Sequence, residues 1–92
     1  MSDNEFYSRF SENLKTSQKW PGIYMFKFVI KEKETKKQNI ENLFKEMNAK
    51  FSIKKSSKKN FTSITVTLVM DDPESVIKIY KDVSKFKGVI TL

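Results

Sequence analysis

The sequence predicts a single α+β domain, a two-layer sandwich of four antiparallel strands and two helices, with an extra helix at the N-terminus. Three observations lead there. The chain has 92 residues, 38% of them hydrophobic and eight of them Phe, enough for one core and one only. Two long runs, at 23–30 and 61–70, alternate as strands do. Two segments carry apolar residues at helical spacing, and each follows one of those strand runs.

Residues 1–19 read as a helical extension, and 20–92 as the domain proper. Ser2 and Glu5 have capping-box spacing, and Phe6, Phe10 and Leu14 recur every fourth residue. Such a narrow stripe cannot form a core alone and must lie on the rest of the domain or on a partner. After Trp20-Pro21-Gly22, the run from Ile23 to Ile30 is aromatic and β-branched, a strand. Tyr24, Phe26, Phe28 and Ile30 form its more apolar face, and Ile23, Met25, Lys27 and Val29 the other.

Thr35 and Gln38 form a second capping box, which predicts a helix to about Asn48 with Ile40, Leu43, Phe44 and Met47 facing the core. Two strands follow, from Phe51 to Ser56 and from Phe61 to Met70, joined by Ser57-Lys58-Lys59-Asn60. In the second, Ile64, Val66, Leu68 and Met70 alternate with Ser63, Thr65, Thr67 and Val69, so one face is buried and the other semi-polar. Asp72-Pro73-Glu74 supplies an N-cap carboxylate, a proline at the first helical position and an acid in the first turn. That helix presents Val76, Ile79, Tyr80 and Val83 to the core, and after Gly88 the segment from Val89 to Leu92 is a last short strand. The order βαββαβ is that of the ferredoxin-like sandwich, both helices on one face of the sheet. Phe26, Phe28, Phe44 and Phe51 belong to the expected core and Phe86 to its edge, whereas Phe61 is assigned to neither face.

Composition narrows the chemistry. There is no His and no Cys, which excludes a zinc site, a thiol nucleophile, a disulfide framework and a near-neutral imidazole base. Asp71, Asp72 and Glu74 are the one acidic cluster at a strand end, but Asp72 already has its capping role. No run approaches the length of a membrane span, and no signal-peptide pattern opens the chain. The expectation is a cytoplasmic protein that is not an enzyme and needs no cofactor or metal.

The net charge of +7 comes from 18 basic and 11 acidic residues. All but one of the basic residues are Lys, whereas base and phosphate recognition favours the planar fork of Arg. Most of the charge is therefore expected on a solvated surface. One hairpin concentrates it: Lys54, Lys55, Ser56, Ser57, Lys58 and Lys59 combine ammonium, hydroxyl and amide donors suited to an anion. A polar hairpin tip and lysines that block edge pairing explain the same residues without a ligand. The semi-polar sheet face, Met25, Lys27, Val29, Ser63, Thr65, Thr67 and Val69, is the second candidate. Its apolar members call for cover by the N-terminal helix, by a second copy in a homodimer, or by a partner. RNA-recognition sheets set aromatic rings on this face, and here Phe61 is a single candidate ring with Ser63 at the next position.

The stretch from Phe51 to Val66 is similar to the central signature of the YbeD-like family of small bacterial proteins: the Ser-Ser-Lys turn, the aromatic one residue past the turn, and the following Ser. Trp20-Pro21 before the first strand, the helix from Val76 to Tyr80 and the hydrophobic C-terminus extend the resemblance over residues 20–92. Lys59 stands where members often carry Gly. The resemblance implies a βαββαβ fold like that of ACT regulatory domains, and a regulatory role connected with lipoate metabolism. Together these lines predict a small regulatory or adaptor module that binds an acidic protein or a small anionic metabolite. The alternative is a low-specificity nucleic-acid binder using the lysine-rich surface.

Overall fold

The computed structural model describes residues 3–31, 35–56 and 61–92. Its elements are α1 (Asp3–Ser17), β1 (Gly22–Lys31), α2 (Lys37–Leu43), β2 (Lys50–Lys55), β3 (Phe61–Met70), α3 (Pro73–Val83) and β4 (Val89–Thr91). The strands form one antiparallel sheet in the order β2-β3-β1-β4, the ferredoxin-like arrangement.

The central pair sets the rest. β1 and β3 pair without a bulge over ten residues each, from Gly22 opposite Met70 to Lys31 opposite Phe61. Paired residues share a face, so Phe26 and Phe28 meet Val66 and Ile64 on the helix side, and all four are buried. Each such side chain contributes roughly 1.5–3 kcal/mol by leaving water. Val76, Ile79 and Val83 of α3 close over them, as the helical spacing predicts.

Tyr80 ties the layers together. Its ring centroid lies 5.2 Å from Phe26 of β1 and 5.3 Å from Phe10 of α1, and its hydroxyl shares a 2.9 Å hydrogen bond with that of Tyr24. α1 therefore lies beside α3 in the helix layer. Leu14 is only 6% exposed, and Lys15 and Ser11 reach Glu74 at 3.8 and 3.2 Å. The expectation that residues 1–19 mask the open sheet face is thus overturned for the described part of that segment. The aromatic partners of its stripe, Tyr80 above all, stand on the opposite layer. Between α1 and β1 the Trp20–Pro21 peptide is cis, and a Cβ at Gly22 would stand 2.5 Å from the Lys19 carbonyl oxygen, so only glycine fits the entry to β1 without a shift.

Four local expectations need correction. The second helix ends at Leu43, not near Asn48: Phe44 leaves helical geometry at φ −110°, ψ 11°, and turns lead to Asn48, left-handed at φ 54°, before β2. Met47 is consequently 42% exposed instead of facing the core. The Thr35 capping box does not form. Thr35 is buried, and its hydroxyl donates to the Lys87 carbonyl in the loop before β4, leaving Lys36 as an N-cap without a side-chain hydrogen bond. Phe51 is 39% exposed on the edge strand β2, with the ring of Phe44, the residue capping α2, 6.2 Å away between centroids. β2 also begins one residue earlier than predicted, at Lys50.

Two consequences can be measured. Burial, reinforced by the bond to Tyr24, holds the Tyr80 phenol well above its ordinary pKa of 10.0. The folded chain therefore keeps a proton that the unfolded chain releases, and stability present below pH 10.0 falls as pH rises beyond it. Tyr80→Phe should cost about 1 kcal/mol at neutral pH in urea unfolding, by orphaning the Tyr24 hydroxyl, and should flatten the alkaline loss. At the other end of α3, hydrogen bonding from Ser75, through its side chain first and then through its amide at 2.8 Å, lowers the Asp72 pKa from the usual 3.8. Asp72→Ala should lower Tm at pH 7, and the gap to wild type should close as pH falls below 3.8 and the wild-type carboxylate is protonated.

Candidate binding face

The ladder registers place the side chains of the uncovered sheet face in rows. Lys54, Ser63, Val29 and Ile90 lie across one, and Ser52, Thr65 and Lys27 across the next. Lys50, Thr67 and Met25 form a third, and Val69 with Ile23 a fourth. Strands lie about 4.8 Å apart and alternate residues about 6.8 Å apart, so Lys27, Lys50 and Lys54 surround Ser52 and Thr65 within a patch roughly 14 Å across. All seven face residues expected from the sequence, Met25, Lys27, Val29, Ser63, Thr65, Thr67 and Val69, project here.

The face is two-toned. One corner is apolar, with Ile23, Met25 and Val69 respectively 67%, 59% and 62% exposed. The remainder is mostly hydroxyl and ammonium, with Val29 and Ile90 in one row. Phe61 opposes Lys31 at the far end, where the Lys31 Nζ stands 5.8 Å from the ring centroid, a cation–π distance. It is the one aromatic ring on this face among the described residues, because the rings of Tyr24, Phe26 and Phe28 belong to the helix side.

Charge is divided between the layers. The four strands contain Lys27, Lys31, Lys50, Lys54 and Lys55 and no Asp or Glu. The three helices carry six acids against five bases, close to neutral, and several of these charges pair locally, as Arg9 does with Glu5 and Lys78 with Asp82. Within the helices and strands, positive charge is thus concentrated on the strands.

Of the hairpin candidates, Lys54 joins the face, whereas Lys55 projects from the helix side of β2, opposite the buried Thr62. Ser56 is exposed, and its amide donates to the Phe61 carbonyl at 2.9 Å, the last described rung of the hairpin. Ser57, Lys58 and Lys59 lie outside the described residues. Lys50, Ser52, Lys31, Ile23 and Ile90 complete the face beyond the residues singled out from the sequence. The alternation already set Ile23 beside Met25; Lys50 was hidden by a strand start placed one residue late, and Ile90 by a final strand too short for its faces to be assigned.

No group of three or more metal-ligating side chains occurs among the described residues, and Asp72, from the acidic cluster, is engaged as a helix cap. A cavity of about 520 Å³ lies away from the lysine rows, on the helix side between the start of α1 and the end of β4. Among the described residues no helix is long and apolar enough to cross a membrane.

A family model described as "Protein of unknown function (DUF493)" matches residues 15–92. No curated protein matches. Among solved structures, the solution structure of protein HP0495 from H. pylori is similar, with a TM-score of 0.64 at 22% identity, over 89% of this chain and 92% of that one. At that identity the likeness speaks for the fold, which it supports. With the family match spanning most of its length, the chain belongs to the DUF493 family, the YbeD-like group that its hairpin and strand motifs resemble.

Proposed function

We propose that this protein is a non-catalytic regulatory or adaptor module of the cytoplasm that docks an acidic protein through the lysine-bearing open face of its sheet. The single observation that carries this reading is the separation of charge: four lysines on the open face, Lys27, Lys31, Lys50 and Lys54, with no acid in any strand, and helices that are close to neutral. Lys27, Lys50 and Lys54 offer ammonium groups to carboxylates, Ser52, Thr65 and Thr67 offer hydroxyls, and Ile23, Met25 and Val69 offer the apolar contact that a stable interface needs.

The same features argue against the other occupants. A homodimer through this face would bring two sets of lysines together without a carboxylate between them, a like-charge juxtaposition that costs affinity. A small anionic metabolite calls for a concave site with convergent donors, whereas these lysines spread over a sheet surface. RNA bound in the manner of four-stranded RNA-recognition sheets requires two or three stacked bases, and Phe61 offers one ring. A regulatory role connected with lipoate metabolism, which the family resemblance implies, would fit a docking module, since regulation by binding needs no reacting group.

Reversing two face charges tests this reading. Lys50→Glu with Lys54→Glu should leave Tm within a few degrees of wild type, because both side chains are exposed. It should also reduce capture of acidic partners from a native lysate at least about tenfold, as quantified by mass spectrometry, with wild-type capture falling as salt rises. Equal capture by the two proteins would refute the assignment.

A further inference from the structure

The sheet has two unlike edges. β2 protects the outer one with Lys50, Lys54 and Lys55, half of its six residues, which is how natural edges discourage pairing. The opposite edge is incomplete. β4 pairs only with Phe28, Val29 and Ile30 of β1, and the Leu92 amide adds one more bond, donating to the Lys27 carbonyl at 2.9 Å. Beyond it, β1 continues to Gly22 with β3 on one side and, among the described residues, no strand on the other.

The direction of the main-chain groups there follows from alternation. The Lys27 carbonyl and the Lys31 amide, the latter donating to Gly88 at 3.0 Å, both point toward β4. In an unbulged strand every second residue points the same way, so Ile23 and Met25 turn their N–H and C=O groups to that edge. Among the described residues none pairs with them on that side. The flanking side chains are apolar and exposed, those of Ile23 and Met25 themselves. The aromatic cavity of about 520 Å³, lined by Phe6, Phe10, Tyr80, Phe86, Val89 and Leu92, lies where β4 stops, on the helix side of the same edge.

From these placements we infer that the β1 edge is a strand-addition site, and that its occupant is an extended apolar peptide segment of a partner protein. The segment continues the line of β4 antiparallel to β1. Its main chain bonds Ile23 and Met25, and its alternate side chains enter the aromatic cavity. Only an extended main chain offers donors and acceptors at that spacing, and the cavity supplies the side-chain selectivity that such pairing lacks by itself. Acidic residues flanking the segment face Lys27. The site goes beyond the lysine face, and either can fail without the other.

The probe is an eight-residue peptide in which Val and Phe alternate with Thr between terminal Asp residues, titrated into the full chain and followed by amide hydrogen exchange. In the free protein the Ile23 and Met25 amides should exchange much faster than those of Tyr24 and Phe26, which face β3. With the peptide at ten times its Kd, exchange at Ile23 and Met25 should slow about tenfold. N-methylation of the alternate peptide amides that face β1 should abolish the effect. Met25→Pro removes a donor that β3 does not use, so it should fold and lose peptide binding; should it fail to fold, the N-methylated peptide decides. Lys50→Glu with Lys54→Glu should keep peptide binding even though it disables the acidic docking face. Protection of both amides in the free protein, protection that grows with protein concentration alone, absence of peptide binding, or binding indifferent to N-methylation would each overturn the inference.

Discussion

The register of β1 on β3 is the constraint from which the rest of this structure follows. Ten residues of each strand pair without a bulge, so a slip of one in β1 would send Phe26 and Phe28 to water and Lys27 into the core. The apolar face of these two strands is strong enough to forbid that slip. Its alternate residues, freed from packing, carry the hydroxyls and lysines. Core and candidate interface are therefore two sides of one pattern.

The helix layer reinforces this division. Tyr80 meets rings from α1 and β1 and bonds the Tyr24 hydroxyl, so the N-terminal helix finds its apolar partners on the layer already occupied by α3. Had α1 crossed to the other side, the lysine rows would have been covered. Its position leaves the sheet surface accessible and gathers Phe6, Phe10 and Tyr80 around the end of β4. The two proposed contacts thus arise from one packing choice, although they use different chemistry, charge on the face and main-chain pairing at the edge.

Much of this was legible in the residues. Strict alternation in β1 and β3 and the Asp72-Pro73 start of α3 each rest on local rules that tertiary packing did not override. The misjudged features depended on distant parts of the chain. Thr35 has the spacing of a helix cap, but its hydroxyl is claimed by the Lys87 carbonyl, 52 residues away. Met47 has core spacing, but the helix ends at Leu43 and Met47 falls in the turns that follow. Phe51 is aromatic on an edge strand, and its burial depended on a helix length that periodicity overestimated. The face residues were found because strand alternation is local, while the charge division emerged only once strand membership was assigned to each lysine and acid. The free groups of Ile23 and Met25 were invisible beforehand, since they depend on where β4 stops.

The central claim is that the open sheet face, and not the helix layer, is where this protein meets negative charge. Residue-resolved NMR of the full chain titrated with poly-L-glutamate tests it most directly. Shift changes should centre on Lys27, Lys50, Ser52, Lys54 and Thr65 and fade as salt screens the contact. Changes centred instead on the α1 and α3 surface around Arg9, Lys78 and Lys81, or spread evenly over both layers, would contradict it.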